Sequence, residues 1–125
     1  MSNSKPTILY VDDEEVNLFI FEHMFKNDFV IKSALTAEAG LEILEKPNHG
    51  IQLVITDKKI QPTSGIGFIK KAADKGITVP FCMLSAYDLN QEVQELIDKG
   101  LLKKYFNKPL DFNLIKTEIM TILNG

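Results

Sequence analysis

Five short apolar or mixed runs alternate along the chain with five segments of helical period, and this alternation restricts the fold more than any other feature. Thr7–Val11, Leu53–Thr56 and Val79–Leu84 are nearly continuous apolar runs, the pattern of strands covered on both faces. Phe29–Ala34 contains Lys32, and Lys103–Phe106 begins with two lysines. Those two read as edge strands, where lysine discourages pairing with another chain. Between and after the runs, Glu15–Lys26, Ala37–Lys46 (with Thr36 as N-cap) and Gly65–Lys75 (stopped by Gly76) carry helical periodicity. So do Leu89, Val93, Leu96 and Ile97, and then Phe112, Ile115, Ile119 and Ile122. A βαβαβαβαβα order with short loops predicts one open parallel sheet with helices on both faces. In such a sheet a ligand sits beyond the carboxyl ends of the strands, where the strand order reverses.

Size and charge narrow the class. The 125 residues are expected to form a single domain, 1–125, with its core in about residues 7–124. No apolar run approaches the ~20 residues of a membrane span, and Met1–Thr7 lacks the apolar stretch of a signal peptide. The expectation is a cytoplasmic protein without membrane contact. Its 14 basic residues are all lysine, against 17 acidic ones. A chain with no arginine and a net charge of −3 is not expected to bind nucleic acid, which favours a basic face and guanine-reading arginines. The single cysteine, Cys82, lies in an apolar run and reads as a buried, inert thiol.

The strand ends carry the chemistry. They are Asp12-Asp13, Asp57, Ser85-Ala86 and Lys108-Pro109. Each taken alone also reads as a turn or a helix cap. Together they place carboxylates, a hydroxyl and an ammonium on one rim. Neighbouring carboxylates raise each other's pKa unless a cation sits among them. Oxygen-only ligands suit Mg²⁺, and with no histidine or cysteine nearby Zn²⁺ is disfavoured. An aspartate can accept a phosphoryl group as an acyl phosphate. The rim therefore reads as a Mg²⁺-dependent phosphoaspartate site.

Four stretches in order, Ile8-Leu9-Tyr10-Val11-Asp12-Asp13-Glu14, Leu53-Val54-Ile55-Thr56-Asp57, Met83-Leu84-Ser85-Ala86 and Tyr105-Phe106-Asn107-Lys108-Pro109, resemble the receiver domain of two-component response regulators. The resemblance runs from Ile8 to Leu123. It implies an α/β, flavodoxin-like, doubly wound sheet of five parallel strands in the order 2-1-3-4-5. It makes Asp57 the phosphoacceptor, with Asp13 and Asp57 ligating Mg²⁺ directly, Asp12 acting through water and the Lys59 carbonyl as a further ligand. Ser85 and the Ala86 NH would contact the phosphoryl group, Lys108 would pair with it, and the Lys108–Pro109 bond would be cis. Tyr105 matches the aromatic that turns inward on activation. The implied donor is a histidine kinase or a histidine phosphotransfer protein. The implied output is a changed surface on helix four, strand five and helix five, read by an output domain or protein that the sequence does not name. Catalysis would be limited to the domain's own phosphorylation and dephosphorylation.

The chain also departs from the family's pattern. Lys58-Lys59-Ile60-Gln61-Pro62 follows Asp57, with proline one position late and an extra cation at Lys59. Tyr87 is a bulky ring two residues after Ser85, and with Lys59 it is expected to slow phosphoryl hydrolysis. The first helix carries Val16, Leu18, Phe19, Ile20, Phe21, Met24 and Phe25, more apolar surface than one buried face needs. Phe19 and one neighbour are expected to stay exposed, either as tolerated surface residues or as the docking patch for the phosphodonor. Two other readings of the site are a phosphohydrolase and a phosphate-independent binding module. The first usually has a second aspartate where Lys59 stands; the second commonly loses one of the acidic, hydroxyl or lysine residues kept here.

Overall fold

Each of the five strands feeds a helix, and all strand pairs are parallel. In chain order these are β1 (Thr7–Val11), α1 (Glu15–Phe25), β2 (Val30–Ala34), α2 (Ala37–Glu45), β3 (Ile51–Asp57), α3 (Gly65–Asp74), β4 (Phe81–Ser85), α4 (Gln91–Asp98), β5 (Lys104–Asn107) and α5 (Phe112–Asn124). The computed structural model describes residues 5–86 and 89–125. The strands lie in the order β2-β1-β3-β4-β5, the flavodoxin-like arrangement expected from the sequence, so the reversal of strand order falls between β1 and β3.

Alternation along the strands divides the core into two layers. Ile8 and Tyr10 of β1 join Phe21, Phe25, Ile115 and Ile119 beneath α1 and α5. Leu9 and Val11 point the other way, into a cluster with Leu41, Phe68 and Leu96 from α2, α3 and α4. The strand side chains of β4 are buried throughout, as the continuous apolar runs predicted. β2 and β5 are the edges, and Lys32 and Lys104 are exposed on them. Four helices start on side-chain caps: Thr36 accepts from the Ala39 NH (3.0 Å), Ser64 from Gly67 (3.0 Å), Asn90 from Val93 (2.9 Å) and Asp111 from Leu114 (3.1 Å). Gly76, at φ +77°, terminates α3 in a conformation that glycine adopts without steric cost.

Several boundaries differ from the sequence reading. β3 begins at Ile51 and takes in Asp57, while β4 begins only after Pro80, which has no NH for the ladder. The periodic position Leu89 lies outside α4 and is exposed, because Asn90 caps the helix after it. On α1 the exposed apolar surface is larger than expected: Val16, Phe19 and Ile20 are 58%, 66% and 46% exposed. Cys82 is fully buried and free, as expected. Among the described residues no helix is long and apolar enough to cross a membrane.

Candidate functional site

The carboxyl ends of β1, β3 and β4 and the turn after β5 supply the site residues. Backbone hydrogen bonds tie these ends together. The Lys58 NH donates to the Leu84 carbonyl (2.9 Å) and the Lys108 NH to the Ser85 carbonyl (2.8 Å). A third bond, from the Asp12 NH to the Ala34 carbonyl (3.2 Å), secures the end of β1 against β2.

Asp57 is 8% exposed at the end of β3. Its Oδ2 accepts from the Lys108 ammonium at 2.8 Å, and its Oδ1 accepts from the Lys59 NH at 3.2 Å. Burial works against the charge of Lys108, but the hydrogen bond and charge of Asp57, with Asp12 and Glu14 beyond, outweigh it. The ammonium is therefore held above the ordinary lysine range. Gly65, the first residue of α3, sits directly against this strand end. A Cβ there would fall on the Asp57 carbonyl oxygen, and the Gly65 NH donates to the Lys58 carbonyl at 2.9 Å.

Asp12 is 1% exposed and held at both oxygens. Oδ1 accepts from the Glu14 NH (3.1 Å) and the Asn17 amide (3.3 Å), and Oδ2 accepts from the Tyr10 hydroxyl (2.9 Å). Burial and the nearby charge of Asp57 raise its pKa more than the three donors lower it. Burial, followed by the charge of Asp12, likewise pushes the Tyr10 hydroxyl far above its usual value, so it remains a donor.

The other expected residues lie around this pair. Ser85 is buried at the end of β4, in register with Asn107, and Ala86 is exposed just beyond it. Asp13 is exposed at the rim, as is the side chain of Lys59. Tyr105 is half-buried and packs on the layer that contains Met83 and Val93. Tyr87 lies outside the described residues. The Lys108–Pro109 bond is cis, as the resemblance implied, and the Gln61–Pro62 bond, for which no expectation was formed, is cis as well. In the segment after Asp57, Ile60 is buried in the core and the Gly65 NH donates to the Lys58 carbonyl.

Sequence reading missed Tyr10 and Asn17. The available signal was spacing, since positions i and i+2 of a strand share a face and Tyr10 is two residues before Asp12. As to metal, the donor chemistry fits a hard, oxygen-preferring cation such as Mg²⁺. Among the described residues no three His, Cys, Asp or Glu side chains are already drawn together around one point, so what fits the cation is the all-oxygen chemistry of the donors.

The family profile of the response regulator receiver domain matches residues 8–120. The chain belongs to this family. No curated protein matches the sequence significantly. Among solved structures, this receiver domain is similar to the signal receiver domain of an HD domain-containing protein from Pseudomonas fluorescens Pf-5 (TM-score 0.84, 20% identity, covering 96% of this chain and 95% of that one). It is also similar to the receiver domain of a putative Luxo repressor protein from Vibrio parahaemolyticus (TM-score 0.85, 21% identity, 96% and 91% covered). A CheY-like receiver domain protein from Methanospirillum hungatei JF-1 gives a TM-score of 0.84 at 23% identity, with 97% and 95% covered. At these identities the likeness establishes the fold. The family match makes the chain a receiver domain of two-component response regulators, whose general function is a phosphorylation switch.

Proposed function

We propose that Asp57 is the phosphoacceptor of this receiver domain and that a histidine kinase or histidine phosphotransfer protein is the donor. The carrying observation is the Asp57 carboxylate itself, at the end of a buried strand with the Lys108 ammonium 2.8 Å from Oδ2. In the reaction a carboxylate oxygen of Asp57 attacks the phosphorus of the donor phosphohistidine. The phosphorus–nitrogen bond breaks, and the imidazole leaves with that electron pair and takes up a proton at ring nitrogen. Lys108 offsets the charge of the carboxylate before transfer and of the phosphoryl oxygens after it. The Ser85 hydroxyl and the Ala86 NH supply the remaining contacts. Mg²⁺, held by the carboxylates of Asp12, Asp13 and Asp57 and the Lys59 carbonyl, would contribute further positive charge. Transfer and later hydrolysis at Asp57 are the only reactions we assign to the domain, in the cytoplasmic setting expected from its sequence.

The donor's docking site in this reading is α1. Val16, Phe19 and Ile20 are exposed on it. A groove of about 290 Å³, lined by Asn17, Ile20, Met24, Lys108, Pro109 and Leu110 along with Tyr10, runs from that helix to the site. The output in the same reading is a population shift on the α4, β5 and α5 surface, in which Tyr105 turns inward as Ser85 engages the phosphoryl group.

Incubation with acetyl phosphate and Mg²⁺, followed by intact mass measurement, tests the assignment. One phosphoryl adduct is expected on the wild type and none on Asp57→Asn. An undiminished adduct on the variant, or no adduct on the wild type, overturns it.

A further inference from the structure

Tyr10 is read from sequence as one more apolar residue of β1, yet its hydroxyl ends on a carboxylate. The ring is 1% exposed and stacks on Phe21 with centroids 4.0 Å apart and planes 9° from parallel. Phe21 is itself fully buried and meets Phe25 at 4.6 Å. A ring clamped in this way has one place to put its hydroxyl, and that place is Oδ2 of Asp12 at 2.9 Å. The other oxygen of Asp12 already accepts from the Glu14 NH and the Asn17 amide. A carboxylate has about four acceptor positions, so the three donors among the described residues leave Asp12 one, on the oxygen that Tyr10 holds.

We propose that Tyr10 is a positioning residue for the phosphoacceptor site, fixing the Asp12 carboxylate so that its remaining acceptor position serves a divalent cation or a water bound to it. This rests on the reading of Asp57 as phosphoacceptor with Mg²⁺ beside it. The physical case is that of a donor behind a ligand. Such donors set the ligand's orientation, and removing them typically weakens metal binding by roughly 10–100-fold. The arrangement is rigid: Asp12 follows the last residue of β1 with its NH bonded to the Ala34 carbonyl of β2, and the Phe21 stack couples the Tyr10 hydroxyl position to α1. Asn17 acts on the same carboxylate from α1 at the longer distance of 3.3 Å.

The test uses the whole chain and Tyr10→Phe, which keeps the ring and its stack and removes only the hydroxyl. Calorimetric titration with MgCl₂, without phosphodonor, is expected to show binding weakened by roughly tenfold or more. The Mg²⁺ concentration for half-maximal adduct formation with acetyl phosphate should rise by the same factor, and the rate at saturating Mg²⁺ should stay within about twofold of wild type. An unchanged Mg²⁺ affinity in a folded variant overturns the proposal, as does a lower saturated rate with affinity unchanged. A measurement independent of any variant's folding is the NMR signal of the Tyr10 phenolic carbon in the wild type. It should move as Mg²⁺ is added, and a signal that stays fixed while Mg²⁺ binds overturns the proposal. If the wild type neither binds Mg²⁺ nor forms an adduct, the phosphoacceptor reading falls and this one with it. If the wild type does both and Tyr10→Phe matches it, only the role of Tyr10 falls.

Discussion

The ammonium of Lys108 and the carboxylate of Asp57 meet at 2.8 Å across 51 residues of sequence. The pair is largely shielded from solvent, with side-chain exposures of 29% and 12%, so it sits between a surface ion pair and a fully buried one. Its geometry joins the end of β3 to the turn after β5 and places a fixed positive charge against the one carboxylate that carries the proposed chemistry.

Removing that charge exposes its worth. Lys108→Met leaves Asp57 buried without its ammonium and is expected to lower stability by about 1–3 kcal/mol in urea denaturation. Because the folded pKa of Lys108 is raised, this stabilisation is complete below the ordinary lysine value. It is lost as pH rises through the higher folded value. The difference between wild type and variant should therefore be flat at neutral pH and shrink only under strongly alkaline conditions.

Asp12 predicts the opposite sign. Its pKa is raised by burial and by Asp57, so between the ordinary carboxylate value and the raised one the folded state holds more protons than the unfolded state. Stability must fall as pH rises through that window. Asp12→Asn removes the buried charge while keeping an acceptor for Glu14 and Asn17. It should raise the melting temperature at pH 7 and flatten the acidic part of the stability profile. A variant that melts lower than wild type at pH 7 would contradict this account.

Gly65→Ala sets two effects against each other. Alanine favours a helix over glycine by roughly 0.5–1 kcal/mol, but the new Cβ would collide with the Asp57 backbone carbonyl. The atom struck belongs to a paired strand and cannot swing aside, so overpacking of about 1–3 kcal/mol should win. Chemical denaturation should show a net loss of stability, and adduct formation with acetyl phosphate should slow because Asp57 itself is displaced.

Burial pushes the Cys82 thiol up to about 12, well above its value of about 8.5 in an unfolded chain. A disulfide reagent at pH 8 should therefore leave the folded protein unmodified and label it only at the rate of unfolding. Between those two values the folded state keeps the proton that the unfolded state loses, so part of the stability should fall away with rising pH. Cys82→Ala should remove that part of the alkaline slope.

The layers of the fold were legible because burial on both faces leaves β1, β3 and β4 almost without polar interruptions, and because Lys32 and Lys104 mark the edges. The site was legible because Asp12, Asp57, Ser85 and Lys108 all stand at the carboxyl ends of strands, where position alone brings distant residues together. Periodicity misled at Leu89, which fits the helical pattern yet precedes the cap at Asn90. It was silent about Tyr10, whose ring satisfies an apolar pattern while its hydroxyl serves a carboxylate. Nor could it show that Thr63, in the loop after Asp57, donates to Glu38 on α2, a contact between exposed side chains that leaves no trace in hydrophobic spacing.

The tie of Lys58 to Leu84 and of Lys108 to Ser85 runs through main-chain atoms alone. Any residue but proline at those donor positions makes the same bonds, so the spacing of the strand ends is indifferent to what evolves on the solvent side of the helices. Lineages that share this scaffold can exchange the solvent-facing residues of α1 and α5, trading one partner for another, while the carboxylates stay where the strands leave them. Specificity and chemistry can thus drift on separate clocks within one small domain.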